Sequence, residues 1–139
     1  MLTGEGFVAA VSVAVFRGDR VLVLRRAANA DAAPGVWETV SGRIERGEDP
    51  LDTAQREVAE ETAIEVEVHE RPIDSYVAAR GDQPMIVVVY RAEWRAGEVK
   101  RSDEHDEHAW LRIDELEARG VPARLVTAIE AAARASGAA

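Results

Sequence analysis

The stretch GRIERGEDPLDTAQREVAEETAI, residues 42–64, contains the pattern that decides the fold of this chain. Its first part is rich in turn-forming residues and leads to Asp49-Pro50, where a favourable N-cap residue precedes a proline suited to the first helical position. Apolar residues then recur at a helical spacing, and nothing interrupts the pattern until Thr62. The sequence therefore predicts a helix over residues 50–63.

Three glutamates, Glu57, Glu60 and Glu61, fall within one arc of about 100° around this predicted helix. Like charges at these spacings destabilise an isolated helix by about 0.2–0.5 kcal/mol for each pair. Hard divalent cations such as Mg²⁺ and Mn²⁺ bind clustered carboxylate oxygens and would offset that repulsion. The helix by itself therefore indicates either a solvated acidic face or a metal site.

The complete stretch resembles the Nudix box, Gly-x5-Glu-x7-Arg-Glu-U-x-Glu-Glu-x-Gly-U, in which U is an aliphatic residue. Eight of the nine specified positions match. The exception is Ala63, which costs about 1 kcal/mol if this position needs a positive φ and little otherwise. Ser41 also departs from the Gly-Gly pair that is common at the start of the box. The matching residues are Gly42, Glu48, Arg56, Glu57, Val58, Glu60, Glu61 and Ile64.

The resemblance implies a site for Mg²⁺ or Mn²⁺ in this stretch. Glu57 and Glu61 are similar to the principal metal ligands of the family, and Glu60 to a further ligand or a ligand through water. Gly42 would offer its backbone carbonyl to the metal and would let the loop pass close to it.

Arginines in and near the box have implied or suggested roles as well. Arg56 would pair with Glu48, fix the loop and orient the carboxylates, which makes it part of the catalytic machinery. Arg25, Arg26 and Arg43 flank the predicted site, where we expect them either to contact substrate phosphates or to be solvated at strand ends.

The general base is left open by the sequence. Candidates are Glu57 and Glu60 in the helix, or a carboxylate of the charged segment 103–108, where Glu104 is the first choice and Glu107 the second. A mobile charged loop is the alternative interpretation of that segment. The histidines are expected at the surface or at strand edges: His69, His105 and His108.

The reaction that the resemblance implies is hydrolysis of a phosphoanhydride in a nucleoside diphosphate linked to another moiety. Nucleoside triphosphates, modified nucleotides and nucleotide sugars all fit this class. Metals neutralise phosphate oxygens and activate water, and a carboxylate takes the proton. The alternative is an inactive Nudix-like nucleotide-binding or sensor domain, but such domains usually lose box carboxylates, and all are present here. An isomerase of the superfamily is disfavoured because the chain has no cysteine.

Charge and composition limit the partners of the chain. The net charge is −9, and residues 38–70 contribute −8 of it, with 11 acidic and 3 basic residues. This disfavours nonspecific binding to nucleic acid or to an anionic membrane, since both need a basic surface. No targeting segment and no membrane-spanning apolar stretch is apparent, so we expect a cytoplasmic monomer or homodimer acting on small nucleotides.

The length of 139 residues and the order of elements predict a single domain, residues 1–139, of the α/β class. A mixed sheet covered by helices is expected, and the resemblance implies an α/β/α sandwich. Charged loops are expected at residues 41–49 and 95–107. The predicted strands cover residues 7–16, 21–24, 37–40, 64–69, 75–79, 85–94 and 109–111, and the predicted helices residues 50–63, 114–119 and 122–135.

Overall fold

The computed structural model describes residues 6–135, except for the side chain of Arg80, and over this range the chain forms one eight-stranded sheet with three helices. Residues 1–5 and 136–139 of the predicted domain lie outside the described residues. The strands are β1 Val8–Arg17, β2 Arg20–Arg26, β3 Trp37–Glu38, β4 Val40–Arg43, β5 Glu65–Val68, β6 Asp74–Arg80, β7 Gln83–Ala96 and β8 His105–Arg112. The helices are α1 Pro50–Thr62, α2 Leu116–Arg119 and α3 Ala123–Arg134, and a 3-10 turn, Ile113–Glu115, precedes α2.

The sheet is mixed, as predicted, because β1 and β7 run parallel whereas the other strand pairs are antiparallel. Its central order is β3-β2-β1-β7-β5. The remaining strands lie beside this path: β4 pairs with β1, β6 with β7, and β8 with β2.

Helices cover both faces of the sheet, which confirms the predicted sandwich. Alternate residues of a strand point to opposite faces, so β1 supplies side chains to two separate cores. Val11, Val13 and Val15 pack with Ala54 and Val58 of α1 on one face. The opposite core contains residues of β1, β2, α2 and α3, including Ala14, Phe16, Val23, Leu116, Leu125 and Ile129.

Both predicted hairpins are confirmed. β1 turns into β2 through Gly18-Asp19, and β6 turns into β7 through Gly81-Asp82. Among the described residues, no helix is both long enough and apolar enough to cross a lipid bilayer.

Several sequence-based boundaries were wrong: among others, β2 continues to Arg26 and the predicted strand 37–40 is interrupted at Thr39. Residues 41–43 are not loop, since they pair with β1 as part of β4. β7 continues to Ala96 because its last residues pair with β5. β8 begins at His105 rather than at residue 109, because its first half also pairs with β2.

The two ends of α1 have defined backbone conformations. The helix starts at Pro50 as predicted, although the Asp49 side chain forms no capping hydrogen bond. It ends at Ala63, which has a φ of 60° and donates its N–H to the carbonyl of Ala59. The left-handed conformation is the costlier of the two alternatives considered for Ala63, since its Cβ is strained there.

Candidate active site

Helix α1 buries two carboxylates against the sheet. Glu57 is 8% exposed and Glu61 is 3% exposed, one turn apart on the face that also carries Ala54 and Val58. The backbone N–H of Ser41 in β4 donates a 3.4 Å hydrogen bond to Glu61 Oε1. Buried carboxylates need charge partners, and a neutral backbone donor does not neutralise Glu61.

A third carboxylate meets this pair from the loop before β8. One oxygen each of Glu57, Glu61 and Glu104 lies within 4.8 Å of the others. Glu104 is exposed, so the group is open to solvent on one side and buried on the other. Three carboxylate oxygens at such distances match the donor set that Mg²⁺ or Mn²⁺ binds, with water at the remaining positions.

The cluster carries more negative charge than its surroundings compensate. Burial, followed by the neighbouring charges of Glu57, Glu38 and Glu104, raises the pKa of Glu61 to about 10. Burial also raises the pKa of Glu57, although Arg56 opposes the shift. Both shifts mean that ionising these groups is unfavourable in the folded protein. A cation bound between the carboxylates would reverse that effect.

Gly42 brings the backbone of β4 directly against the cluster. A Cβ at this position would lie 2.0 Å from Glu57 Oε2 and 2.1 Å from its Cδ. Only glycine therefore leaves the Glu57 carboxylate where it is. The space that a side chain would fill is occupied by the Glu57 carboxylate.

Arg56 ties the loop of the box to the helix. Its guanidinium contacts Glu48 through two hydrogen bonds, Nε to Oε2 at 2.8 Å and an Nη to Oε1 at 3.0 Å. It also contacts Glu57 at 3.0 Å and the carbonyl of Arg43 at 3.1 Å. Arg56, followed by the Thr53 hydroxyl, lowers the pKa of Glu48 to about 2. This network of charge-assisted hydrogen bonds around Arg56 restrains the Glu57 side chain.

Two cavities meet at β4. The acidic cavity has a volume of about 400 Å³ and contains the carboxylate cluster. The apolar cavity, about 140 Å³, shares Ser41, Gly42 and Arg43 with it. The acidic cavity is lined by Arg26, Asp31, Ser41, Gly42, Arg43, Glu45, Glu57, Glu61 and Glu104. The apolar cavity is lined largely by Ala10, Val11, Tyr76, Ala78, Met85, Val87 and Leu125, together with polar residues that include Ser12 and Glu38.

Comparison with known proteins agrees with this arrangement. The family model of the NUDIX domain matches residues 6–131. The chain belongs to the Nudix family. A MutT-like protein of Streptomyces ambofaciens is 35% identical over 112 residues, which cover 81% of this chain and 68% of that protein. An NAD-capped RNA hydrolase, NudC, of Stutzerimonas stutzeri (strain A1501) is 34% identical over 81% of this chain, and the chain spans 38% of the length of that relative.

The fold of the Nudix chain is also found among solved structures. The crystal structure of a MutT protein from Methanosarcina mazei Go1 superposes with a TM-score of 0.85. The superposition covers 98% of this chain and 99% of that one at 22% sequence identity. This likeness concerns the fold, and it agrees with the predicted α/β/α sandwich.

The structure places the Nudix-box residues in two groups. Glu57, Glu61 and Gly42 meet at the acidic cavity with Glu104, the loop carboxylate chosen first from the sequence. Glu60 lies apart from these, since its side chain is 57% exposed and contacts Arg56 at 3.2 Å.

The three flanking arginines are placed differently from one another. Arg43 is exposed at the rim shared by the two cavities, and its side chain has no ion pair within residues 6–135. Arg26 lines the acidic cavity and contacts Glu38 at 3.1 Å. Arg25 lies outside the described lining of both cavities and pairs with Asp106 at 2.7 Å and Glu107 at 3.0 Å.

The expectation of a surface or edge position was wrong for His105, which is only 4% exposed. Its Nε2 lies 2.9 Å from Glu38 Oε2. Neither residue was predicted to belong to the site, yet the two are paired beside the cluster. His105 occurs in the wholly polar run DEHDEH, where no apolar alternation signals a buried side chain. Glu38, four residues before Gly42, carries no spacing signal of its own.

Proposed function

We propose that this Nudix domain hydrolyses a phosphoanhydride bond in a nucleoside diphosphate linked to another moiety, in a reaction that depends on Mg²⁺ or Mn²⁺. The observation that carries the proposal is the group formed by Glu57, Glu61 and Glu104, whose oxygens lie within 4.8 Å of one another. The raised pKa values of Glu57 and Glu61 and the absence of a Cβ at Gly42 support a cation at this position.

Glu57, Glu61 and Glu104 would hold the metal, and the carbonyl of Gly42 is proposed as a further ligand. When bound, a divalent metal neutralises phosphate oxygens and lowers the pKa of a water molecule. Glu60 keeps the proposed role of a ligand through water. Glu60 and Glu57 both accept hydrogen bonds from Arg56, so Glu60 lies next to the cluster without being part of it.

Glu104 is the proposed general base. It is the exposed carboxylate of the three, so solvent water can reach it while one of its oxygens lies in the cluster. Glu107, the second choice, is paired with Arg25. Glu57 is enclosed by α1 and β4, which suits a ligand better than a proton acceptor.

The two cavities suggest which part of the substrate binds where. The acidic cavity would take the diphosphate, and Arg43 and Arg26 would contact its oxygens. The adjoining apolar cavity would take an organic group, because its walls are mainly aliphatic and aromatic. We propose that Arg25 does not contact the substrate directly and acts only through Asp106 and Glu107, because its guanidinium already forms ion pairs with both.

The expected setting follows from the substrate class. Small nucleotides occur in the cytoplasm in complex with Mg²⁺, and we propose that compartment for the protein as a monomer or homodimer. The net charge of −9 supports a small metal-bound substrate rather than nonspecific contact with polymeric nucleic acid.

A substrate panel tests the proposal. Hydrolysis of nucleoside triphosphates, NAD, a dinucleoside polyphosphate and nucleotide sugars would be measured with Mg²⁺ by chromatographic separation of the nucleotide products, because only the triphosphates release phosphate or pyrophosphate. We expect turnover of at least one substrate, its loss in EDTA, and a decrease of about 10²–10³-fold in Glu57→Gln and Glu61→Gln. Glu130→Gln is the matched control, because Glu130 is exposed on α3 far from the cluster.

Two results of the panel would contradict the proposal. Turnover on none of these substrates would favour a binding or sensor domain. Turnover that both glutamine variants retain in full would show that the reaction occurs at another site.

A further inference from the structure

The first strand residue after Glu104 is a buried histidine with one defined hydrogen bond. The His105 side chain is 1% exposed, and its Nε2 lies 2.9 Å from Glu38 Oε2. Because an ionised carboxylate only accepts hydrogen bonds, Nε2 carries the proton and donates it. Nδ1 is buried and has no hydrogen-bond partner among the described residues. The bond to Glu38 is therefore what fixes the orientation of the ring.

Glu38 is itself held by neighbouring strands. Arg26 of β2 donates to Glu38 Oε2 at 3.1 Å, and Ser41 of β4 donates its hydroxyl to Glu38 Oε1 at 3.3 Å. Arg26 is anchored in turn, because its Nε donates to the carbonyl of Ala32 at 2.6 Å. The Glu38 carboxylate, which accepts the hydrogen bond from His105, is thus held in a fixed position between β2, β3 and β4.

An irregularity in β8 turns His105 inward. Arg25 pairs with Glu107 and Arg26 with His105, so Asp106 is an extra residue in the β2–β8 ladder. Such β-bulges re-aim side chains and occur often beside active sites. On the other side of His105, the carbonyl of Glu104 accepts a 2.9 Å hydrogen bond from the N–H of Ala27.

We propose that His105 is a positioning residue which, through its hydrogen bond to Glu38, holds the carboxylate of Glu104 against Glu57 and Glu61. An exposed glutamate has many rotamers, and a mobile backbone would add further freedom, so fixing the backbone lowers the entropy lost when the carboxylate reaches the cluster. The bulge and the buried ring fix that backbone on the side of β8, and the bond from Ala27 fixes it on the side of β2. This inference rests on the proposed function, since it assigns to Glu104 a role in metal binding.

Paired substitutions of His105 test the proposal through metal affinity. Glutamine places an N–H near the position of Nε2 and can still donate to Glu38, whereas asparagine places it near Nδ1 and cannot. Mn²⁺ affinity would be measured by calorimetry in the absence of nucleotide. We expect His105→Asn and His105→Leu to bind Mn²⁺ about 10–100-fold more weakly and His105→Gln to restore most of the affinity. His69→Gln is the control, because His69 lies at the end of β5 away from the cluster.

The effect must also disappear when Glu104 is removed. In a Glu104→Gln background, His105→Asn should cause no further loss of Mn²⁺ affinity, because two residues that act through one contact are not additive. Additive losses would overturn the proposal, as would equal affinities of folded His105→Gln and His105→Asn variants near the wild-type value. If His105→Leu does not fold, the glutamine and asparagine pair still decides.

The same titrations separate this inference from the proposed function. Wild type that binds no Mn²⁺ would overturn both. If Mn²⁺ binding is lost in Glu57→Gln but every His105 variant binds Mn²⁺ as tightly as the wild type, only the positioning role is overturned.

Discussion

Replacing Glu61 with glutamine should stabilise the metal-free protein. Glu61 is 3% exposed and lies within 4.8 Å of two further carboxylates through its side-chain oxygens. Glutamine has nearly the same shape and keeps a carbonyl oxygen for the N–H of Ser41. The substitution therefore replaces a buried acid by a neutral amide and leaves the packing and the hydrogen bond in place.

The sign and size of the effect follow from proton linkage. The pKa of Glu61 rises from 4.5 to about 10, so the folded protein binds this proton more tightly than the unfolded chain. As the pH rises above about 4.5 the unfolded chain loses this proton while the folded protein keeps it, so the free energy of unfolding falls. At pH 7 the cost spans about 2.5 pH units, or about 3 kcal/mol as an upper limit, because Glu57 shares the repulsion.

Urea unfolding in EDTA at pH 5, 6, 7 and 8, followed by tryptophan fluorescence, measures this difference. The free energy of unfolding of Glu61→Gln should match that of the wild type near pH 5 and exceed it increasingly toward pH 7. In a thermal melt at pH 7, the melting temperature of the variant should be higher by roughly 10 °C. Glu60→Gln is the matched control, since Glu60 is 57% exposed and its replacement should change stability by less than about 0.5 kcal/mol.

Mg²⁺ at about 100 times its dissociation constant should offset most of the advantage of the variant at pH 7. A ligand that binds only the folded state adds about 2.7 kcal/mol at 100 times its dissociation constant, and the wild type should gain more of this than the variant. The reasoning is refuted if Glu61→Gln is no more stable than the wild type at pH 7, or if the difference is the same from pH 5 to pH 8.

Three further substitutions have defined outcomes. Ala63→Gly should raise the free energy of unfolding by about 1 kcal/mol in urea titrations, because Ala63 has a φ of 60°. Gly42→Ala should leave the melting temperature within a few degrees of wild type but weaken Mn²⁺ binding about 10-fold or more in calorimetry, since its Cβ would displace the Glu57 carboxylate 2.0 Å away. Arg56→Lys should lower stability by about 1–2 kcal/mol in urea and reduce turnover, because lysine cannot form the two contacts to Glu48.

Each of these substitutions can give a contrary result. Equal stability of Ala63→Gly and wild type would show that the helix end carries no strain. Wild-type metal affinity in Gly42→Ala would mean that the Glu57 carboxylate has room elsewhere. An Arg56→Lys variant that is fully stable and active would remove any role for the paired contact with Glu48.

The helix and most strands could be predicted because their signals are local. Asp49-Pro50 marks the start of α1, and alternating or continuous apolar residues mark β1, β2 and β7. β4 was missed because its residues Ser41, Gly42 and Arg43 have low strand propensity. They form a strand since β1 offers backbone partners on that side, and such a tertiary contact has no local signal.

The carboxylates of α1 could be predicted because helical geometry alone places Glu57 and Glu61 on one face. Glu104 was a candidate among several, and only the fold brings its loop to the helix. The burial of His105 was not predictable, because the bulge at Asp106 breaks the period-two pattern from which inward side chains are inferred.

The most direct test of the metal site is anomalous scattering from crystals soaked in MnCl₂. We predict an anomalous peak at about 2–2.5 Å from carboxylate oxygens of Glu57, Glu61 and Glu104, and its loss in Glu57→Gln. Mn²⁺-dependent hydrolysis by the wild-type protein without a peak at these residues, or with the peak elsewhere, would contradict it.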